Sequence, residues 1–267
     1  RVHPDPSQIN QAVEKIKNSK QPIIISGGGV LYSEAEQELS KFAKKHNIPV
    51  TSTVMGIGCM TKDDPYYISA VGALGEGSSN SLSKDTDLAL AIGTKLADFT
   101  TGSWANFENP NFKLVSVNTA RYDTTKHLAT PVISDAKVGL QKISEALGDW
   151  KAPDDWYKRA IKEKNEWDAY VEKQSGPTNQ EEPSYAHAVG AVYRNSDPSD
   201  IVVTAAGGLV GEVVQVWKPK QLNTFETEWG FSCMGYEISG ALGIKMAKPD
   251  QDAVSYTHLT LPTRTRV

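Results

Sequence analysis

Two stretches in the second half of the chain combine residue types that suit cofactor binding. In the first, the apolar run Ile201–Ala205 is followed by Gly207, Gly208 and Leu209. This pattern predicts a buried strand that ends in a glycine turn and leads into a helix, where free backbone N–H groups and the positive helix end can hold a phosphate. A plain strand-to-helix turn also needs glycine, so both interpretations apply to this turn.

The second stretch runs from Glu228 to Ala247 and reads EWGFSCMGYEISGALGIKMA. Gly235, Gly240 and Gly243 lie in or beside a predicted helix, where each glycine costs up to about 1 kcal/mol relative to alanine. We infer that their small size, shared with Ser239 and Ala241, lets another group approach closely. Met234 precedes this helix and is a candidate cofactor contact, although filling a core is the commonest role of a buried methionine.

Together the two stretches resemble the start of the diphosphate-binding domain in thiamine diphosphate (ThDP) enzymes of the acetolactate synthase and pyruvate oxidase type. The resemblance rests on AAGGLVG at 205–211 and on the 228–247 segment. In such enzymes a large apolar side chain holds the cofactor bent, so that its aminopyrimidine reaches the thiazolium ring. The resemblance assigns this role to Met234. The other residues that it places at the cofactor are Gly207, Gly208 and Leu209 near the diphosphate and Ser232 and Cys233 near the aminopyrimidine.

One subgroup of this family, the hydrolases that open a cyclic diketone ring in inositol catabolism, resembles nearly the whole chain. The matching runs lie at 93–123, 135–150 and 230–247. The resemblance implies hydrolysis of a C–C bond in a small cyclic diketone, with ThDP and Mg²⁺ as cofactors. It also implies a homo-oligomer with the cofactor at a subunit interface. Two alternatives remain open, namely an acetolactate synthase-like carboligase and a non-catalytic nucleotide-binding module.

The resemblance also implies that essential groups come from outside this sequence. In the family, the Glu that activates the aminopyrimidine belongs to a preceding domain, and the Mg²⁺ ligands belong to a Gly-Asp-Gly motif with a later Asn, a motif that this sequence lacks. We therefore assign no catalytic residue and no metal ligand within the chain. We expect a fragment that alone neither binds ThDP tightly nor turns over substrate.

Length and composition limit the possible functions. The 267 residues suffice for two domains, and a net charge of −4 with a pI near 5.8 offers no basic field for nucleic acid or anionic membranes. No apolar run reaches the ~20 residues that span a bilayer, so we expect a cytoplasmic protein with a small-molecule partner. Cys59 and Cys233 form neither a metal pair nor a disulfide framework, and we expect both to be buried.

Alternating strand and helix patterns predict an α/β fold with parallel sheets. We expect a Rossmann-like middle domain at 1–150, a helical linker at 151–183 and the N-terminal part of the ThDP diphosphate-binding domain at 184–253. Expected strands are 21–26, 48–53, 88–92, 113–118, 201–205 and 223–226. Expected helices are 33–45, which Ser33 and Glu36 would start as a capping box, and 135–147, 153–174, 184–194, 210–217 and 235–247.

The tail at 254–267 has a composition of its own. Its residues can be back-translated into codons that resemble a sequencing-library adapter, so we predict an artefact and exclude this segment from fold and function. The alternative is an ordinary β-prone tail, for which Tyr256, Leu259 and Leu261 would suit a strand.

Other candidate residues have competing interpretations. Gly27–Gly29 lacks the G-x-G-x-x-G spacing and the later acidic residue of a dinucleotide site, so we predict a structural turn there and no flavin. The loop at Asp98, Phe99 and Thr100 follows a predicted strand and could line a ligand or pack on the neighbouring domain. We expect Glu228 and Glu237 to be caps or surface charges. The histidines, His46, His127 and His187 among them, show no ligand spacing, and we expect structural or solvated roles.

Overall fold

The computed structural model describes residues 1–256 and has the predicted α/β architecture. Its strands are β1 (Pro22–Ser26), β2 (Val50–Ser52), β3 (Tyr67–Ala70), β4 (Leu88–Ile92), β5 (Lys113–Asn118), β6 (Thr130–Ile133), β7 (Ile201–Thr204), β8 (Phe225–Thr227) and β9 (Ala253–Ser255). Its helices are α1 (Pro6–Lys17), α2 (Gly28–Tyr32), α3 (Glu36–His46), α4 (Gly77–Asp85), α5 (Asp98–Thr101), α6 (Arg121–Thr125), α7 (Ala136–Leu147), α8 (Asp154–Ser175), α9 (Tyr185–Asn195), α10 (Leu209–Val216) and α11 (Tyr236–Ala247). Within residues 1–256, no helix combines the length and apolar character required to cross a membrane.

The first sheet has six parallel strands in the order β3-β2-β1-β4-β5-β6. Its central strands are buried on both faces, because α1, α3 and α7 cover one face while α4 and α8 cover the other. Successive isoleucines of β1 alternate between the two faces, and burying each side chain contributes about 1.5–3 kcal/mol. Apolar runs flanked by glycine and polar residues therefore form parallel strands here, as predicted.

Two strands of this sheet, β3 and β6, were not predicted, and neither were the helices α2, α4, α5 and α6. In β3 the buried Ser69 hydroxyl pairs with the hydroxyl of Ser79 on α4 over 2.6 Å, so a polar residue fills a core position. The edge strand β6 contains Pro131, which lacks a backbone donor and is tolerated only at a sheet edge. Neither segment carries the continuous apolar run from which buried strands are recognised.

The predicted capping box at Ser33 and Glu36 is wrong. Ser33 ends α2, and α3 begins at Glu36 after Ala35, with no side-chain cap. Glu34 separates the two helices with a positive φ of 51°. The chain therefore turns sharply at the position where the pattern predicted one continuous helix.

The second sheet has the parallel strand order β8-β7-β9. Its third strand is β9, in which Val254 pairs with Val202. The tail that we predicted to be an artefact therefore contributes Val254 and Ser255 to the sheet, and the Tyr256 ring lies 6.1 Å from the Trp217 ring. This pairing does not test the origin of the segment, so the artefact and the β-prone tail both stay predictions, and 257–267 lie outside the described residues.

Helix α8, predicted at 153–174, joins the two sheets because it contributes residues to both cores. Its Trp156 is buried against the first sheet, where the indole Nε1–H donates to the Pro22 carbonyl over 2.8 Å. Near its other end, Val171 belongs to the core of the second sheet. The division into domains at 150 and 183 stays a prediction, although all strands of the first sheet precede this helix in sequence and all strands of the second follow it.

A buried ion pair also joins the two parts of the chain. Glu76, at the start of α4, is only 2% exposed and pairs with Lys218, which follows α10. Burial raises the pKa of the Glu76 carboxyl to about 7, and the nearby Lys218 ammonium opposes this rise. Glu76 therefore titrates near neutral pH at the junction of the two sheets.

The ion pair predicts how stability varies with pH. A carboxyl whose pKa is higher in the folded than in the unfolded chain stabilises the fold below its unfolded pKa of 4.5, and this contribution is lost as pH rises through about 7. By linkage the loss amounts to at most about 3 kcal/mol. We expect the free energy of urea unfolding of the chain to fall over this range, and Glu76→Gln to flatten the fall. Glu181→Gln, at an exposed site, should change nothing, and parallel profiles for the wild type and E76Q would refute the assignment.

Candidate cofactor site

The turn between β7 and α10 is open to solvent at its centre. Gly207 has φ of 93°, a left-handed conformation that favours glycine, and a Cβ added at Gly208 would meet no atom within 4 Å. Helix α10 then begins at Leu209, and its Val210, Val213 and Val214 are buried in the core of the second sheet. The core therefore fixes the helix while its N-terminal turn faces outward.

A carboxylate organises the loop between β8 and α11. The backbone N–H groups of Phe231 and Cys233 donate to the two Glu228 carboxylate oxygens over 2.8 Å each. These bonds, with the Cys233 bond the larger cause, lower the pKa of Glu228. Glu228 thus acts as a local cap, as predicted, and it holds the turn in which Ser232 has a positive φ of 53°.

Removing this cap should loosen the loop. In Glu228→Ala we expect hydrogen exchange at the Phe231 and Cys233 amides to accelerate by about tenfold, because each loses a bond to a charged acceptor. In the wild type the protection is fully present above the ordinary carboxyl pKa of 4.5 and should be lost as pH falls through the lowered pKa of Glu228. Exchange monitored by NMR provides the measurement, and unchanged rates in E228A would contradict the proposed cap.

Met234 lies on the surface of this loop. Its side chain is 66% exposed, so Met234 does not fill a core among residues 1–256. Cys233 is exposed as well, and the prediction that it is buried is wrong. The apolar sequence around it suggested burial, whereas the loop turns Phe231, Cys233 and Met234 outward. A large unpartnered thioether side chain beside two glycine turns can contact a flat apolar ring.

Glu237 connects the two candidate loops. Its side chain is 0% exposed, so of the two predicted roles, a cap or a surface charge, the surface charge is wrong. The Ala206 N–H donates to Oε1 over 3.3 Å, and the Gly235 N–H donates to Oε2 over 3.0 Å. One carboxylate therefore bonds to the turn that contains Gly207 and to the residue that follows Met234. The sequence missed this role, although a glutamate just after a glycine turn at a helix start was a usable signal.

The glycines of α11 serve different purposes. A Cβ at Gly240 would approach the Tyr236 ring to 3.0 Å and Val203 Cγ1 to 3.3 Å, so its small size lets the helix pack closely on β7. At Gly243 an added Cβ would meet no atom within 4 Å. The close approach that we predicted is therefore helix-to-strand packing at Gly240.

Gly27–Gly29 forms a packed turn. Its Gly27 N–H donates to the Ile92 carbonyl over 2.8 Å, and its Gly29 N–H donates to the Gly93 carbonyl over 2.9 Å. A Cβ at Gly29 would lie 2.6 Å from Gly93 Cα, which leaves no room between the two turns. These contacts agree with the prediction of a structural turn.

The loop at Asp98, Phe99 and Thr100 packs toward the second sheet. The Phe99 ring meets the Trp229 ring edge-on at 5.6 Å, and the Phe99 carbonyl accepts the Ala73 N–H over 2.7 Å. Asp98 accepts the Ser103 hydroxyl over 2.9 Å. Of the two interpretations left open, these contacts favour the one in which the loop packs on the neighbouring part of the chain.

The remaining titratable candidates have structural partners. His46 is buried, with Nδ1 bonded to the Trp150 carbonyl and Nε2 to the Ser144 hydroxyl, and burial lowers its pKa. His187 caps α9 together with Ser184. Burial raises the pKa of the Cys59 thiol to about 12. Within residues 1–256 no three His, Cys, Asp or Glu side chains are grouped to hold a metal ion.

Comparison with known families identifies two matching domains. Residues 9–143 match the thiamine pyrophosphate (a synonym of ThDP) enzyme central domain, and residues 205–257 match the C-terminal TPP-binding domain of the same enzymes. The second match contains both candidate loops, and the first contains the six-stranded sheet.

Curated relatives match nearly the whole chain. Three proteins named 3D-(3,5/4)-trihydroxycyclohexane-1,2-dione hydrolase, from Clostridium tetani, Geobacillus thermodenitrificans and Lacticaseibacillus casei, are 36%, 34% and 32% identical to it. The alignments cover 96%, 94% and 95% of this chain but only 43%, 42% and 43% of the relatives. The chain therefore spans less than half the length of the curated relatives it matches.

Proposed function

The chain belongs to the thiamine pyrophosphate enzyme family, and from that premise we propose that it is part of a longer, ThDP- and Mg²⁺-dependent hydrolase. The proposed reaction opens the ring of trihydroxycyclohexane-1,2-dione by hydrolysis of a C–C bond and yields 5-deoxyglucuronate in inositol catabolism. Support comes from the names of the relatives and from the two matching domains. The single observation that carries the cofactor assignment is the junction of both candidate loops at Glu237.

The two loops fit the cofactor by their chemistry. The turn at Gly207, Gly208 and Leu209 combines a left-handed glycine, open space and the start of a helix, which together suit a diphosphate. The exposed Met234 suits an aromatic ring. When bound, ThDP supplies the electron sink that C–C bond cleavage requires.

The residues of this chain would bind and orient the cofactor. The N–H groups at the start of α10 would neutralise diphosphate oxygens, assisted by the positive end of the helix dipole. Met234 would support the rings by apolar contact. The backbone at Ser232 and Cys233, held by Glu228, would position the aminopyrimidine end. Mg²⁺ ligands and the activating carboxylate would come from regions outside this sequence.

We also propose that the intact enzyme is a homo-oligomer with the cofactor at a subunit interface. Apolar side chains of α11 are exposed in the described chain, namely Ile238, Leu242 and Met246. Their spacing of four residues places them on one face of this helix. A partner surface that covers them would also exclude water from the ThDP rings.

The test is an assay of the full-length protein with the cyclic dione and, separately, with pyruvate. We expect ThDP- and Mg²⁺-dependent ring opening and no acetolactate. Acetolactate formation without ring opening would favour the carboligase alternative. Micromolar binding of NAD or FAD without ThDP dependence would favour the nucleotide-binding module, against which the closed contact between Gly29 and Gly93 already argues.

A further inference from the structure

We propose that Glu237 is a positioning residue that sets the separation between the diphosphate turn and the Met234 loop, and through it the affinity for ThDP. The proposal rests on the proposed function, because it concerns the same cofactor site. It concerns a side chain that need not touch the cofactor.

The geometry supplies the first argument. Glu237 is the second residue of α11. One of its carboxylate oxygens accepts the Ala206 N–H and the other accepts the Gly235 N–H, and these two donors are 29 residues apart in sequence. Ala206 immediately precedes Gly207, and Gly235 immediately follows Met234. Any change in the orientation of this carboxylate therefore displaces both candidate loops relative to each other.

The electrostatics supply the second argument. The carboxylate is fully buried, and within residues 1–256 no Lys, Arg or His nitrogen lies within 4.0 Å of it. A buried charge without a cation must obtain its stabilisation from hydrogen bonds. The two backbone N–H groups and the positive end of α11 provide it. The carboxylate therefore depends on both loops being in place, and both loops depend on the carboxylate.

The consequence concerns preorganisation. A ligand that contacts both loops gains affinity when their separation is set before it binds, because it need not order them. A ligand that contacts one loop alone gains nothing from that separation. ThDP belongs to the first kind and inorganic pyrophosphate to the second.

The experiment uses the full-length protein and the variant Glu237→Gln. The amide matches the carboxylate in shape but keeps only one acceptor oxygen, so one of the two N–H groups loses its partner. We expect the Kd for ThDP to rise about tenfold. The inhibition constant of inorganic pyrophosphate and the kcat at saturating ThDP should stay within about threefold of the wild type.

Two further variants keep the test decisive if E237Q folds poorly. Glu237→Asp shortens the side chain, so its carboxylate reaches one loop only, and its Kd should also rise. Glu226→Gln is the matched control, because Glu226 is a half-buried carboxylate that accepts the Tyr236 hydroxyl over 3.1 Å and bonds to neither loop backbone. It should leave the Kd for ThDP unchanged.

The outcomes separate the two proposals. Equal Kd values for ThDP in the wild type and in both Glu237 variants would overturn the positioning role and leave the proposed function standing. An equal loss of ThDP and pyrophosphate affinity would also overturn it, because that pattern indicates local damage to one turn. A wild-type protein that shows no dependence on ThDP would instead refute the proposed function itself.

Discussion

Replacing Met234 with alanine in the full-length protein should lower the kcat for ring opening by roughly 100-fold, the cost expected when reacting groups are misplaced by about 1 Å. The Met234 side chain is exposed and contacts no core among residues 1–256, so its removal should cost the fold little. The substitution should therefore lower turnover, measured by steady-state kinetics, and weaken ThDP affinity, measured by titration.

Two variants control this result. Met234→Leu retains a large apolar side chain of similar volume and should keep most of the activity. Leu128→Ala removes another exposed apolar side chain, just before β6 of the first sheet and outside the proposed site, and should leave turnover unchanged. Wild-type turnover and coenzyme affinity in Met234→Ala would show that this side chain does not support the cofactor.

Substituting Gly207 with valine should weaken ThDP binding by roughly 30-fold, which corresponds to about 2 kcal/mol of backbone strain. Gly207 has φ of 93°, and a β-branched residue would force the turn to change its conformation. The N–H groups that we assign to the diphosphate would then point elsewhere. Isothermal titration with ThDP and Mg²⁺ measures the effect.

Gly148→Ala is the control for strain alone. Gly148 also has a positive φ, of 63°, and a Cβ there would meet no atom within 4 Å, but it lies at the end of α7, outside the site. This variant should lose stability and keep its ThDP affinity. If Gly207→Val binds ThDP as tightly as the wild type does, the turn does not hold the diphosphate.

The sequence predicted the strands whose signal is local. β1, β4 and β7 are apolar runs bounded by glycine or polar residues, and β5 is apolar on both sides of the buried Ser116; each was found to within a residue or two. β3 and β6 were missed because each has only four residues, among which a buried serine or an edge proline leaves just two adjacent apolar residues. Their pairing depends on hydroxyl contacts and on edge position, which only the assembled sheet supplies.

The candidate loops were also predictable, because glycine turns next to strands and helices leave a local pattern. The hydrogen bonds through which Glu237 joins the two loops were not predictable. Glu237 was predicted to be a cap or a surface charge, because nothing local shows that α11 packs on β7 through Gly240 and buries the carboxylate. Cys233 was misjudged for the same reason, since hydropathy does not reveal which face of a loop the rest of the chain covers. The roles of Ser232 and Met234 stay predictions.

The central claim is that the Gly207 turn and the Met234 loop together form one ThDP site. A structure of the full-length protein with ThDP and Mg²⁺ tests it most directly. We predict the diphosphate within hydrogen-bond distance of the N–H groups of Gly207–Leu209 and the Met234 side chain in contact with the ThDP rings. A cofactor bound away from either loop would contradict the claim.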